Sequence, residues 1–254
     1  MFGYTFNKDK EITGEQDVLR YSALDCWLKS KESYRKRYYE GQSFQTAETM
    51  FGHEGHKKLE NGEVVLEGLP AYSKTEYNII VDLGKIKIGG CLDSFDPETL
   101  SFLDYKLSHR NKDGKAPWDA VKVARHMQLV FYGLLVELKH GKVNPKTQLV
   151  WVETQFDDKA IEYDGHTLIA PSRSLSLTGE WRAFERRVAK WERDNLKKLI
   201  RTEAEKIKQD FYEYKQRNNK PSDERDGPAI TQEESPAEGV LSGASEEVSR
   251  QEKA

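Results

Sequence analysis

Only two of the 254 residues are cysteine, Cys26 and Cys91. Two thiols cannot staple a disulfide scaffold or hold a four-cysteine iron–sulfur cluster, and they fit a reducing compartment. Long apolar runs are also missing. No stretch approaches the roughly 20 residues that cross a bilayer, and the opening MFGYTFNKDKEITGEQD lacks the charged-then-apolar pattern of a secretory signal. A soluble, cytoplasmic protein with no membrane partner is expected. No GxxxxGK[ST] loop occurs, which argues against a nucleotide cofactor and an intrinsic motor.

Aromatic residues are absent from residues 218–254, where Pro, Ser, Gly and Glu dominate. Such a segment buries too little apolar surface to offset its ordering entropy, so a disordered acidic tail is expected there. Its nine acidic and four basic residues carry −5 of the formal net charge of −3, leaving +2 for residues 1–217. A slightly basic body permits a nucleic-acid partner without requiring one.

Periodicity organises the rest. Tyr21–Glu40 and residues 46–60 read as helices, and Tyr77–Asp82, Lys85–Phe95 and Leu100–Leu107 as three strands of an antiparallel meander with turns at Asp82-Leu83-Gly84 and Asp96-Pro97-Glu98. Trp118–Lys139 returns to helical period. Gln148–Thr154 and residues 161–169 read as further strands. Trp181, Phe184, Val188 and Trp191 at three- and four-residue spacing predict one long helix over Glu180–Arg217. Its basic residues fit either a solvated face laced with ion pairs or a positive wall along a nucleic-acid channel. Helices flanking a mixed central sheet make an α/β (α+β) domain over residues 1–217, with its core at about 20–170.

The segment GGCLDSFDPETLSFLDYKLS carries the chemistry. Asp104 and Lys106 are two apart on a strand and share a face, and hairpin pairing can set Asp93 beside them. Two converging carboxylates repel unless a cation lies between them, and a divalent metal with oxygen ligands resolves the conflict. The lysine can then stabilise charge developing on a phosphate or orient an attacking water. The Tyr105 backbone carbonyl is a further candidate ligand. D-x-K is a common tripeptide, and alone it reads as an exposed ion pair. Here, however, both acids end apolar strands. On the preceding helix His56 shares a face with Gly52 and could supply a nitrogen ligand, with Gly52 letting another backbone approach. His53 competes, because residues three apart are also neighbours on a helix. On the following helix Gln128 and Tyr132 share a face; a buried Gln needs partners and could orient Lys106 or a water, while Tyr132 could reach a phosphate.

Taken in order, Gly52/His56, Gly90/Asp93, Asp104/Lys106 and Gln128/Tyr132 resemble the PD-(D/E)xK nuclease superfamily, and within it the RecB-type branch that includes the CRISPR adaptation nucleases. Tyr21-Ser22-Ala23-Leu24 with Lys29, Tyr34 and Tyr38 is similar to that branch's N-terminal signature. The resemblance spans about residues 20–155. It implies a restriction-endonuclease-like core, Mg²⁺ or Mn²⁺ held by His56, Asp93 and Asp104, a catalytic Lys106, and phosphodiester hydrolysis of DNA. Glu76 matches an acid often found at the start of the first strand and is a supporting residue. Many relatives carry an iron–sulfur cluster that two cysteines cannot form, and the proline of the family name is missing before Asp93. The resemblance therefore implies a stand-alone nuclease of phages or bacteria, expected to act as an exonuclease, with a helicase or recombination protein as a candidate partner. The alternatives are a catalytically silent DNA-binding or assembly protein on the same fold, and a metal-dependent hydrolase of another substrate.

Overall fold

The structure, a computed structural model, describes residues 1–42, 47–61, 63–141, 146–160 and 173–218. The strand expected at 161–169 and nearly all of the acidic tail lie outside the described residues. Contacts divide the chain into Met1–Lys215 and Gln216–Ala254, and everything below concerns the first unit.

The chain opens with a small hairpin, β1 (Tyr4–Phe6) and β2 (Ile12–Glu15), then β3 (Val18–Arg20), α1 (Tyr21–Lys29), α2 (Lys31–Tyr38) and α3 (Ala47–Glu60). Three long strands follow: β4 (Lys74–Leu83), β5 (Ile86–Phe95) and β6 (Phe102–Ser108). Then come α4 (Ala120–Ala124), α5 (Met127–His140), β7 (Lys146–Ala160), β8 (Arg173–Arg187) and α6 (Lys190–Asn218). The expected meander is present, with β4 antiparallel to β5 and β5 antiparallel to β6. Parallel pairing of β6 with β7 and of β3 with β5 makes the six-stranded sheet mixed. The core is restriction-endonuclease-like.

One edge of β5 determines where the site lies. β4 covers its other edge from Ile86 to Phe95. On this edge β3 pairs only with Lys87, Ile88 and Gly89, and β6 only with Ser94 and Phe95. Residues 90–93 between these pairings face no described strand, and the sheet opens there into a cleft.

Two helices that read as continuous are each broken. Ser30 separates α1 from α2, its side chain accepting from the Ser33 amide at 3.1 Å, a capping bond that starts a new helix. Arg125 and His126 separate α4 from α5, and Arg186 Nη1 braces the break by donating to the carbonyls of Val123 and His126 at 3.2 and 3.0 Å.

The helix expected over Glu180–Arg217 needs correction. Its first part is β8, antiparallel to β7 with Phe184 against Leu149 and Trp181 against Val152. The strand is covered on both faces. Trp181 packs with Leu103, Tyr105, Val150 and Val152, and Phe184 with the main core. Apolar residues facing opposite ways at three- and four-residue intervals imitate a helical period. The helix begins only at Lys190, with the Ala189 amide donating to Glu192 Oε2 at 2.8 Å.

Helices cover both faces. α5 is buried all round from Leu129 to Val136, as expected for a helix apolar on every side. It packs on β4, β5 and β7, while α3 covers β6 and β8. α6 presents Leu196, Ile200, Ala204, Ile207 and Phe211 at helical spacing. Phe211 meets Tyr39 and Tyr4 at ring separations of 4.9 and 4.8 Å, and Trp27 Nε1 donates to Glu203 at 2.9 Å. The N-terminal aromatics therefore fold onto the last helix and clamp the ends of the unit together.

Candidate active site

Where β5 and β6 part, a side chain replaces the missing ladder bond. Their register, continued one residue past Ser94–Leu103, sets Asp93 against Asp104. The Tyr105 amide instead donates to Asp93 Oδ2 at 2.7 Å. The Asp93 carboxylate is thus fixed at the fork. His56 Nδ1, from α3, lies 3.7 Å from the same oxygen.

The chemistry of His56 follows from its surroundings. Burial, and then the nearby Lys106 cation, lower its pKa from 6.5 to about 4, against the opposing pull of Asp104 and a hydrogen bond with the Tyr105 backbone. At neutral pH the imidazole is uncharged, the form that ligates metals. His56 and Asp93 are consequently an uncharged imidazole beside a carboxylate, not an ion pair. His53, the competing histidine, is exposed on the cavity rim, whereas His56 is half-buried.

Asp104 is 1% exposed, a depth at which a carboxylate needs partners. Lys106 Nζ lies 2.8 Å from its Oδ2, yet that oxygen has no aligned hydrogen-bond donor. The amine is close enough for charge attraction and off the hydrogen-bonding direction. Lys106 Nζ donates instead to Gln128 Oε1 at 3.0 Å, and Gln128 Nε2 donates to the Tyr132 hydroxyl at 2.9 Å. Gln128 uses both ends of its amide to join Lys106 of β6 to Tyr132, one helical turn further along α5. Burial, then Asp104, raise the Tyr132 pKa, so the phenol keeps its proton.

These groups line one cavity of about 750 Å³, which includes Gly52, His56, Glu76, Asp93, Tyr105, Lys106 and Tyr132. Asp104 is not among the lining residues and lies buried beside Lys106. The supporting residues behave differently from expectation. A Cβ on Gly52 would meet nothing within 4 Å, so no backbone approaches there and the close-approach role is corrected. Gly52 keeps the cavity rim low. The tight contacts belong to Gly55, where a Cβ would lie 2.3 Å from Leu107 Cδ2, and to Gly90, where it would lie 2.8 Å from the Tyr132 ring. Glu76 is exposed on the rim with φ 45°, a left-handed conformation uncommon for a non-glycine residue and typical of functional sites.

Sequence reasoning missed two neighbours. Tyr21 feels the Asp104 charge, and burial is the larger cause that raises its pKa. His126, at the α4–α5 break, is lowered by burial and feels Asp104 and Lys106; its ring lies 5.0 Å from that of Trp118 and 6.5 Å from that of Tyr21. Both sit at helix starts, where a periodicity reading registers only a boundary.

Among the described residues no three His, Cys, Asp or Glu side chains stand together as a ready metal cluster. The donors form two pairs, His56 with Asp93 and Asp104 with Lys106. The donor set of one imidazole, two carboxylates and the Tyr105 backbone still fits a hard divalent cation. The buried, unaligned Oδ2 of Asp104 is the atom that calls for one.

A comparison with curated proteins returned no significant match. Among solved structures, the crystal structure of SSO0001 is similar at 19% identity and a TM-score of 0.32, over 56% of this chain and 64% of that one. The match thus spans less than two thirds of that protein. The family model described as the PD-(D/E)XK nuclease superfamily matches residues 6–221. That range takes in β3, the cleft, both flanking helices and all of α6, and the chain belongs to the PD-(D/E)XK nuclease superfamily.

Proposed function

We propose that the protein is a Mg²⁺- or Mn²⁺-dependent deoxyribonuclease that hydrolyses phosphodiester bonds from DNA ends, in phage or bacterial DNA processing, recombination or repair. The observation that carries this reading is Asp104 Oδ2, a buried carboxylate oxygen beside Lys106 with no aligned donor. His56, Asp93, Asp104 and the Tyr105 carbonyl would hold the ion. When bound, the ion would supply Lewis-acid polarisation of the phosphate and a more acidic water. Lys106, held by Gln128, stabilises the charge that develops on the phosphoryl oxygens. Tyr132, also held by Gln128, keeps a proton to donate to a phosphate oxygen. Asp93 fixes the fork by accepting from the Tyr105 amide, which keeps the β6 residues in register with the cavity.

The test is incubation with linear and circular DNA in Mg²⁺, Mn²⁺ or EDTA. Degradation of linear DNA alone, dependent on the metal and reduced roughly 10²- to 10³-fold in Lys106→Ala, is expected. Cleavage of circles would make the enzyme an endonuclease. Degradation that survives Lys106→Ala would overturn the site. No degradation of any DNA or RNA would favour the catalytically silent DNA-binding protein.

A further inference from the structure

A second compartment of the cleft, of about 610 Å³, adjoins the metal cavity. The two share Cys91 and Tyr132, so the Tyr132 ring stands between them and Gln128 faces the second. Both open over the stretch of β5 that the sheet leaves uncovered. The metal cavity lies toward β6, and the second compartment toward the end of β3 and the two short helices that follow it.

The outer wall of this compartment is basic. Arg20, Lys29 and Arg37 supply three cations, and Ser22 and Ser33 supply hydroxyls. The opposing acid is Asp25, which is paired with Lys29 at 2.7 Å and lies 3.5 Å from the Tyr21 hydroxyl. Arg20 and Arg37 are exposed and have no carboxylate partner within ion-pair distance among the described residues. Arg37 instead lies over the Tyr38 ring at 5.6 Å. Two guanidinium groups with no carboxylate in ion-pair range make an anion site, and guanidinium forks match phosphate oxygens. α1 also opens on this wall with no side chain capping its first turn, which leaves amide donors facing the same way.

We propose that this compartment binds phosphate groups of a single DNA strand next to the scissile bond, with Arg20 and Arg37 as its phosphate ligands. The inference rests on the nuclease reading for the identity of the strand, but the anion site is independent of hydrolysis. A volume of about 610 Å³ suits one or two nucleotides. A compartment of that volume has no room for paired bases together with both of their backbones. The strand passes over Tyr132 from one compartment to the other, so the enzyme acts on a strand separated from its complement.

The test is binding of fluorescent oligothymidylate in EDTA, where no metal-dependent cleavage occurs, by wild type and by an Arg20→Ala/Arg37→Ala double variant, over a range of salt. The double variant is expected to bind roughly tenfold more weakly. The slope of log Kd against log salt should fall by about 1.4, at about 0.7 per single-strand phosphate contact. Arg20→Lys/Arg37→Lys should restore most of both. Oligomers with and without a terminal phosphate assign the source: an equal loss on both identifies internal phosphodiesters, and a loss confined to the phosphorylated one identifies a strand end. Unchanged affinity and slope in a double variant that melts with wild type would overturn the proposal, even if the nuclease is active. An inactive wild type whose oligomer binding depends on both arginines would overturn the nuclease reading and leave this site standing. If the double variant melts early, Arg37→Gln alone carries the same test with half the expected change in slope.

Discussion

Charge is spent differently on the last helix and in the cleft. Along α6 nearly every charge near the body meets its opposite within the chain. Arg193 and Lys197 both reach Glu137 of α5, Arg35 reaches Asp210, and Lys215 reaches Glu15 at 2.7 Å. In the cleft the matching stops. Asp104 keeps an oxygen without an aligned donor, and among the described residues Arg20 and Arg37 have no carboxylate within ion-pair distance, Asp25 of the same compartment being paired with Lys29. On the proposed function, charges matched internally hold the fold and the open ones of the cleft are left for a ligand to complete.

That contrast can be broken at Glu137. Arg193 is 4% exposed and depends on this carboxylate. Glu137→Ala removes the carboxylate that the buried Arg193 shares with Lys197 and is expected to cost about 3–5 kcal/mol by denaturant unfolding, with nuclease activity per folded molecule unchanged. A cost under about 1 kcal/mol would show that the pair does not hold α6 to α5.

Gly90 sharpens the cleft side. A Cβ there would lie 2.8 Å from the Tyr132 ring and 3.1 Å from Leu135 Cδ1, so the ring must shift to admit it. Gly90→Ala is expected to cost about 1–3 kcal/mol and to loosen the Gln128–Tyr132 hydrogen bond, lowering activity beyond the loss of stability. Activity and stability both at the wild-type level would mean the ring is free to move.

Acid should act on the matched charges. Burial raises the Glu137 pKa, but hydrogen bonds and attraction from Lys197 and Arg193 outweigh it and leave the pKa below its usual 4.5. Because the folded value lies below the unfolded one, this stabilisation is fully present above pH 4.5 and is lost as pH falls through the folded pKa. The melting temperature should therefore drop below pH 4.5 in wild type and drop less in Glu137→Gln. Identical acid profiles for the two would contradict this.

The smallest effect belongs to the outer face of the helix. The Lys190–Asp194 pair is solvent-exposed, with Lys190 75% exposed at its side chain. Asp194→Ala should leave the melting temperature unchanged within error, because exposed pairs gain little against screening and side-chain entropy. A clear drop would erase the distinction between inner and outer charges.

Much of the cleft was legible in the sequence because strand and helix periods fix relative direction. The two-residue step from Asp104 to Lys106 and the four-residue step from Gln128 to Tyr132 each define a face, and the structure brings those faces together. Other features depend on non-local packing. A strand covered on both sides reads as a helix, which misplaced Glu180–Arg187. Gly52 and Gly90 look alike in sequence, yet only at Gly90 does a ring lie against the backbone. The basic compartment joins Arg20, Lys29 and Arg37 to Gln128 and Tyr132, roughly a hundred positions away, and only the parting of β3 and β6 from β5 sets these groups side by side.

The central claim is that the open charges of the cleft are completed by a divalent cation. Calorimetric titration of Mn²⁺ into wild type and Asp104→Asn tests it without any substrate. Saturable binding to wild type is expected, weakened at least roughly tenfold in Asp104→Asn by loss of a first ligand carboxylate, with both proteins melting alike in EDTA. Equal Mn²⁺ affinity in the two proteins, or none in wild type, would contradict the account.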